Sequence, residues 1–464
     1  MPRGQQRDGT VRAVLPIAPA PPSVYPGGMT TAPDAPPPVP QSVAPPDARR
    51  AAVNLVLVTV LLDVLALGIM IPILPKLVEG MLGGDTARAA IVFGLFSTAW
   101  ALMQLVFQPV LGALSDRYGR RPVILFSNLG LGLDYILMAL APNLWWLLVG
   151  RIISGICASS FSAATAYIAD VTPPERRAQS FGLIGVAFGV GFVVGPAIGG
   201  LLGAIDTRLP LWVAAGFSLA NAAYCWLALP ESLSRDKRAP FAWRSANPIG
   251  SLRLLSRSPV LKGLGGAVFL YHLAHNVFPA IFVLHAGYRF GWGEGMVGLG
   301  LAGFAVCSAI VQGALIRPTV SWLGERRTML IGIVAGVSGF AILGLAESDL
   351  VFWLGMPVMA LWGFIGPSVQ GIMTRQVAES EQGQLQGANG ALMAIAGLIG
   401  PTVFTQMFAA AIAYAGLRWA GAPYLLASAI LLVSGLLAWR TTGRLGRQDP
   451  PATPPAIPPA TSAR

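Results

Sequence analysis

GALSDRYGRRPV (residues 112–123) is a short charged stretch set between two strongly apolar runs. Upstream lies VFGLFSTAWALMQLVFQPVL (92–111), and downstream lies VILFSNLGLGLDYILMALA (123–141). Each run approaches the roughly 20 apolar residues that a helix needs to cross ~30 Å of hydrocarbon. Two spans joined by so few residues must run antiparallel. Asp116, Arg117, Arg120 and Arg121 then mark the side of the membrane that the turn faces.

The composition agrees with that reading. Hydrophobic residues make up 54% of the chain and charged residues 11%, with a mean hydropathy of +0.65. The net charge of +11 does not point to nucleic acid, because the basic residues are spread over short loops rather than one folded face. Cys157, Cys225 and Cys307 all sit in apolar runs and read as small hydrophobes, with no disulfide framework or metal spacing. No metal site is expected. Residues 1–50 and 443–464 are Pro/Ala-rich and Pro-rich, lack periodicity and are expected to be disordered tails. Met29 opens a tidier N-terminal tail and is an alternative start.

Apolar runs between charged or Pro/Gly punctuation give twelve spans, near 52–77, 90–114, 122–141, 144–170, 178–203, 209–230, 259–286, 294–318, 327–346, 350–374, 384–414 and 420–440. The fold class is therefore an all-α membrane protein. If both tails and the even-to-odd loops are cytoplasmic, only Lys76, Arg88, Arg208, Arg289 and Arg418 fall on the other side, while Arg151 lies within a span. That bias puts both termini inside. The chain is expected in the cell's inner membrane, surrounded by lipid.

A constant shift of 205 residues superposes Gln179, Gly182, Gly185, Gly195 and Pro196 on Gln384, Gly387, Gly390, Gly400 and Pro401. The same shift carries Gly119 to Gly324 and Arg121 to Arg326, so the charged loop returns as SWLGERRTML (321–330). One offset serving two distant segments implies two pseudo-symmetric six-helix bundles, 51–230 and 259–442, joined by a basic linker at 231–258. Halves related in this way place a substrate site at their interface and work by alternating access.

These residues resemble the major facilitator superfamily. GALSDRYGRR is similar to its loop signature, VGRIISGICASS (149–160) to a signature of its fourth span, and GVGFVVGPAIGG (189–200) to one of its proton-driven antiporters. LDYILMALAP, AYIADVTPPERRAQSFG and GQLQGANGAL resemble the tetracycline-resistance branch, and the likeness covers roughly residues 52–440. It implies a proton-coupled exporter of a small amphipathic compound, driven by the proton gradient without a cofactor and working as a monomer. Asp63, Asp134 and Gln104 match that branch's first-span aspartate, third-span aspartate and second-span glutamine. The histidine of its eighth span falls near Ser308, and the acidic residue of its ninth near Gly336, so neither is carried over. An importer of a sugar or other metabolite is the alternative, and a transport-like sensor or scaffold a third reading. Neither an enzyme's nucleophile–base constellation nor a nucleotide loop of the GxxxxGK[ST] type appears.

Among the 20 Asp and Glu, only Asp63 and Asp134 lie well inside spans. A carboxylate at that depth costs several kcal/mol, and protonation relieves the cost, which suits it to carry protons. Asp134 and Arg151 both lie about seven residues, or roughly 10 Å, below the outer surface, on neighbouring antiparallel helices. The two readings are a structural ion pair and a pair that opens when Asp134 is protonated. Asp63 is read as a coupling or substrate group, against a hydrogen-bonded structural acid. Gln104, His275, Asn276, Gln370 and Asn389 are the polar groups expected to face a substrate cavity. His272 and His275 share a helix face but lack further ligands for a metal.

Gly191, Gly195, Pro196, Gly199 and Gly200 form the antiporter-like segment, where small residues allow close helix approach and proline kinks the helix. The resemblance adds that this interface suppresses leak of protons or substrate. Gly112, Asp116, Arg117, Gly119, Arg120 and Arg121 are read as a conformational latch on the cytoplasmic rim. The partial positive charge at the start of the eleventh span is the expected hold on Asp116.

Overall fold

The computed structural model describes residues 46–158, 160–173, 176–238, 250–378 and 381–445. Most of both tails, the alternative start at Met29 and residues 239–249 of the linker lie outside the described residues. Among the described residues, eleven helical stretches are long and apolar enough to cross a membrane. One of them, Glu294–Leu345, has 52 residues, about 78 Å at ~1.5 Å per residue, and so must cross twice. It turns at Gly324, whose φ of 78° and ψ of 160° are not helical. The eighth and ninth expected spans are thus one stretch of helix bent back at a glycine.

The first span is α1 (Pro46–Met70) and α2 (Ile73–Met81), interrupted at Pro72, which has no N–H to give the ladder. The second and third are α3 (Thr86–Tyr118) and α4 (Arg120–Leu140). The fourth is α5 (Leu144–Cys157) and α6 (Ser160–Val171), and the fifth and sixth are α7 (Arg177–Gly203) and α8 (Leu209–Ala228). In the second half the seventh span is α9 (Pro259–His275) and α10 (Val277–Phe290). Next come α11 (Glu294–Ile310) and α12 (Ile316–Leu345), then α13 (Asp349–Ala360) and α14 (Ile365–Thr374). The chain closes with α15 (Gln382–Ala415) and α16 (Ala422–Leu445).

Local chemistry fixes where several of these helices begin. Asp85, Asn143, Ser258 and Ser348 each accept a backbone N–H of the first turn of α3, α5, α9 and α13, supplying partners that the helix itself lacks. The repeat is written in the backbone as well. Gly119 has φ 108° and its counterpart Gly324 has φ 78°, conformations that a side chain would strain. The interruption of the first span at Ile71–Pro72 recurs, at the same offset, between α9 and α10 at Asn276. Large apolar side chains such as Leu133, Leu140, Trp226, Leu227, Val334 and Leu354 lie on the outside, as lipid contact requires and water would not favour.

The halves meet where α3 packs on α15 and α7 packs on α11. The closest approaches gather at the end carrying residues 82–85 and 204–208. A Cβ added to Gly200 would stand 2.8 Å from Gly298 Cα, and one added to Gly94 would meet Thr405 Oγ1. Thr98 Oγ1 and Thr402 Oγ1 are 2.6 Å apart across the same seam. That end is sealed.

Candidate functional site: a charged cavity and its neutral counterpart

The first cavity lies in the first half. It is lined by Asp63, Leu67 and Met70 of the first span, Trp100 of α3, Tyr135 of α4, Arg151 and Ser154 of α5 and Phe188 of α7, among others, and holds about 590 Å³ of space counting the part continuous with solvent. Asp63 reaches it as a half-buried residue, backed by asparagines from two other helices. Asn221 Nδ2, on α8, donates to Asp63 Oδ1 (2.8 Å) and to the Thr59 carbonyl (3.0 Å). On α4, the carboxamide of Asn128 lies 2.6 Å and 3.2 Å from the two Asp63 oxygens. Thr59 Oγ1 and Cys225 Sγ, 3.5 Å apart, close the cluster from behind.

Asp134 and Arg151 are both buried, at 1% and 6% exposure, yet they do not form the ion pair that their depth makes feasible. Neither Asp134 oxygen has a hydrogen-bond partner, and Arg151 Nε is likewise free. The guanidinium instead lies over the Trp100 ring, 5.2 Å from its centre, with Nη1 against Met70 Sδ. Depth along the helices was legible in the sequence, whereas rotation about their axes was not. Asp134 fits only because Gly150 has no side chain, since a Cβ there would stand 2.9 Å from Asp134 Oδ1.

The second cavity, about 570 Å³ of empty space, occupies the other half, with Val268, Tyr271, His272, Ile333, Val369, Gln370, Asn389 and Ser434 on its wall. Shifted by 205, Asp63, Leu67 and Ala164 of the first cavity become Val268, His272 and Val369 of the second. The two are one duplicated pocket that has diverged. Only the first carries a carboxylate and a guanidinium. In the second, Asn389 Nδ2 donates to Gln370 Oε1 (2.5 Å), leaving Gln370 Nε2 and Asn389 Oδ1 without partners.

The other expected cavity residues are scattered. His275 is exposed and stacks on Trp362, with ring centres 4.4 Å apart, while its neighbour His272 reaches the cavity wall. Asn276 spends its amide on the His272 carbonyl (2.8 Å) and packs against Gly400. Gln104 stays half-buried on α3, outside both cavity walls. Among the described residues no group of three or more His, Cys, Asp or Glu side chains could hold a metal.

Gly191, Gly195 and Gly199 turn toward the first span, against Val64, Gly68 and Ile69, while Pro196 and Gly200 meet Gly298 of the other half. One short segment therefore touches both the helix that carries Asp63 and the sealed seam.

The charged loop is organised around Arg120. Its guanidinium binds Asp116 (2.5 Å), Asp170 (3.1 Å) and Ser115 Oγ (2.7 Å). Glu231, which follows α8, accepts the backbone N–H groups of Arg120 (2.8 Å) and Arg121 (3.3 Å). A carboxylate there complements the positive end of α4. Arg121 donates to the carbonyls of Cys225 and Trp226, Arg117 lies over Tyr118, and Gly112 sits one turn before Asp116 on α3. The hold on Asp116 in this structure is thus Arg120, within its own half, rather than the start of α15. In the echo, Glu325 pairs with Arg375 and Arg326 with Thr442.

Residues 56–401 match the family model described as Major Facilitator Superfamily. The chain is 37% identical over 385 residues to the class C tetracycline resistance protein of Escherichia coli, covering 82% of this chain and 95% of the relative. It is 36% identical to the class G tetracycline resistance protein of Vibrio anguillarum, covering 78% and 91%. Among solved structures it resembles the human organic anion transporter MFSD10 (TETRAN), with a TM-score of 0.63 and 26% identity over 85% of this chain and all of the other.

Proposed function

The chain belongs to the major facilitator superfamily, in its tetracycline-resistance-like branch, and from that premise we infer how its two cavities share the work of transport. It is a proton-coupled exporter of a small amphipathic compound, not an enzyme. We assign proton coupling to Asp63, with Asp134 and Arg151 nearby as a pair that closes in another state. The carrying observation is that Asp63 is the one carboxylate on the walls of these two cavities, with hydrogen-bonding partners on two further helices. The second cavity is assigned to the cargo through Gln370, Asn389 and His272, and a tetracycline is the first compound to try.

The proton gradient supplies the energy without a bound cofactor. One charge crossing 100 mV yields about 2.3 kcal/mol, enough for roughly a fifty-fold concentration ratio. We place the protein in the inner membrane as a monomer with both termini cytoplasmic, its halves being 51–230 and 259–442. In that orientation the sealed end faces outward and the cavities open to the cytoplasm. The loop around Arg120 serves as the latch of the opposite state, in which Asp116 exchanges Arg120 for the start of α15.

Everted vesicles carrying the chain provide the test. Adding tetracycline to energised vesicles should release protons and accumulate the drug, and Asp63→Asn should abolish both while the protein still reaches the membrane. Undiminished gradient-driven flux in that variant overturns the assignment. Uptake into whole cells, stimulated by the gradient, would instead favour an importer.

A further inference from the structure

The first cavity carries two charged groups, and only one of them is satisfied. Asp63 Oδ1 accepts from Asn221 Nδ2 at 2.8 Å, so the carboxylate has a donor behind the wall. Arg151 is 6% exposed and lies on the same wall, yet among the described residues it meets no oxygen acceptor. Nη1 has only Met70 Sδ at 3.9 Å, a weak acceptor, and Nε has no partner. Asp134 stands off the cavity wall with both oxygens unpartnered. A buried guanidinium without an anion to face is destabilising. The unmet demand in this cavity is therefore for an acceptor.

The walls describe the rest of the ligand. Trp100 lies under the guanidinium, its ring centre 5.2 Å from Cζ, and Tyr135, Phe188, Leu67 and Leu131 add aromatic and aliphatic surface. A flat apolar body suits such faces, while a carboxylate meets a guanidinium edge with two parallel N–H···O bonds. Under the 205-residue shift Arg151 becomes Met356 and Trp100 becomes Ala305, so the second half lacks both parts.

We propose that the first cavity is a binding site for amphipathic aromatic monoanions, with the anionic head on Arg151 and the rings against Trp100 and Phe188. The site is separate from the cargo cavity. Its occupant takes the place on Arg151 that Asp134 fills when the pair closes, so a bound anion holds the present state and slows the cycle; this effect rests on the pairing assigned above. Charge links the site to protons. Asp63 of the first span and Asp134 of α4 are the negative groups around Arg151, and Tyr135 of α4 and Cys157 of α5 are the other titratable ones. The helices α3, α6 and α7 present Trp100, Ala164 and Phe188. Both carboxylates repel an incoming anion, and a proton on either removes that repulsion. Anion affinity should thus rise as pH falls, by at most about ten-fold per pH unit for each proton taken up.

Calorimetric titration of 2-naphthoate into the protein in phosphatidylcholine nanodiscs tests the site. Arg151→Gln should weaken binding at least about ten-fold, the loss of one charge-assisted hydrogen bond or more. The neutral 2-naphthamide should not distinguish that variant from the intact chain. Asp134→Asn removes a competitor and should tighten 2-naphthoate, a gain that misfolding cannot produce. Asp63→Asn should keep binding near its acid-pH strength and flatten the pH dependence between about pH 6 and 8, where the ligand stays ionised. Unchanged affinity in Arg151→Gln, weaker binding in Asp134→Asn or no binding by the intact chain overturns the proposal. Equal binding of inorganic phosphate, which has no ring, refutes the ligand class. In everted vesicles 2-naphthoate should lower the maximal rate of tetracycline flux and leave its KM in place. A raised KM at an unchanged maximal rate puts the anion in the cargo cavity and counts against this site. If the intact chain moves no tetracycline, the substrate reading fails and the titrations still decide this one.

Discussion

Removing a hydroxyl from the seam between α3 and α15 should open the sealed end by a measurable amount. Thr98 Oγ1 and Thr402 Oγ1 lie 2.6 Å apart, with the Leu398 carbonyl 3.3 Å from the first and the Gly94 carbonyl 3.5 Å from the second. Each hydroxyl has one hydrogen, so the pair makes one bond between its members and one to a carbonyl. Thr98→Val keeps the shape and loses one or both. Side-chain hydrogen bonds inside membrane proteins contribute about 0.6 kcal/mol on average and up to about 1.7. The sealed state should therefore lose about 1–2 kcal/mol, a shift of roughly 5- to 30-fold toward the open form. Spin labels at positions 88 and 418, both exposed near that end, would report it as a growing long-distance population, with Cys157, Cys225 and Cys307 replaced by serine. Thr402→Val should act alike, and the double variant should add less than the sum. Strict additivity, or an unmoved distance distribution, refutes the seam.

Gly119→Ala should lower stability by about 1–3 kcal/mol, from backbone strain at its positive φ, with the Glu231 carboxylate also forced to shift; an unchanged unfolding midpoint would sink that estimate. Gln370→Leu removes a donor from the neutral cavity and should raise the KM for a transported tetracycline roughly 5- to 30-fold, the range for one or two lost bonds. Its pH dependence should stay that of the intact chain, and a changed pH profile with the same KM would reverse the division of labour. Asp116→Asn should leave stability within about 1 kcal/mol, because Arg120 keeps Asp170 and Ser115, but should slow turnover by shifting the balance between open states. The labels above measure that balance, and a defect confined to affinity would contradict the latch.

Much of the fold was legible because hydrophobic length and a repeat are properties of the chain alone. The 205-residue shift pairs Gly119 with Gly324, and both residues take positive φ. Span ends were less legible where a break is local, as at Pro72. The site was legible only where charge betrays it. Asp63, Asp134 and Arg151 stand out in apolar runs because each is costly there. Asn128 and Asn221 carry no charge, and their importance comes from three helices being rotated to one point. FSNLGLGLDY and SLANAAYC do hold the signal, a lone carboxamide in an apolar run, but that pattern is equally met by packing. Glu231 was hidden for the opposite reason, among the many charges of the linker.

The divergence of the duplicated pocket has a consequence for inheritance. With Asp63 in one copy and Val268 at the matching place in the other, the proposed division of labour would put the motor and the lock in separate genes' worth of sequence. Substitutions that retune the lock at Tyr271, His272, Gln370 or Asn389 need not disturb the motor. A lineage can thus change what it expels without relearning how to be driven. A hybrid that joins this first half to a relative's second half should keep the present drive and adopt the relative's cargo.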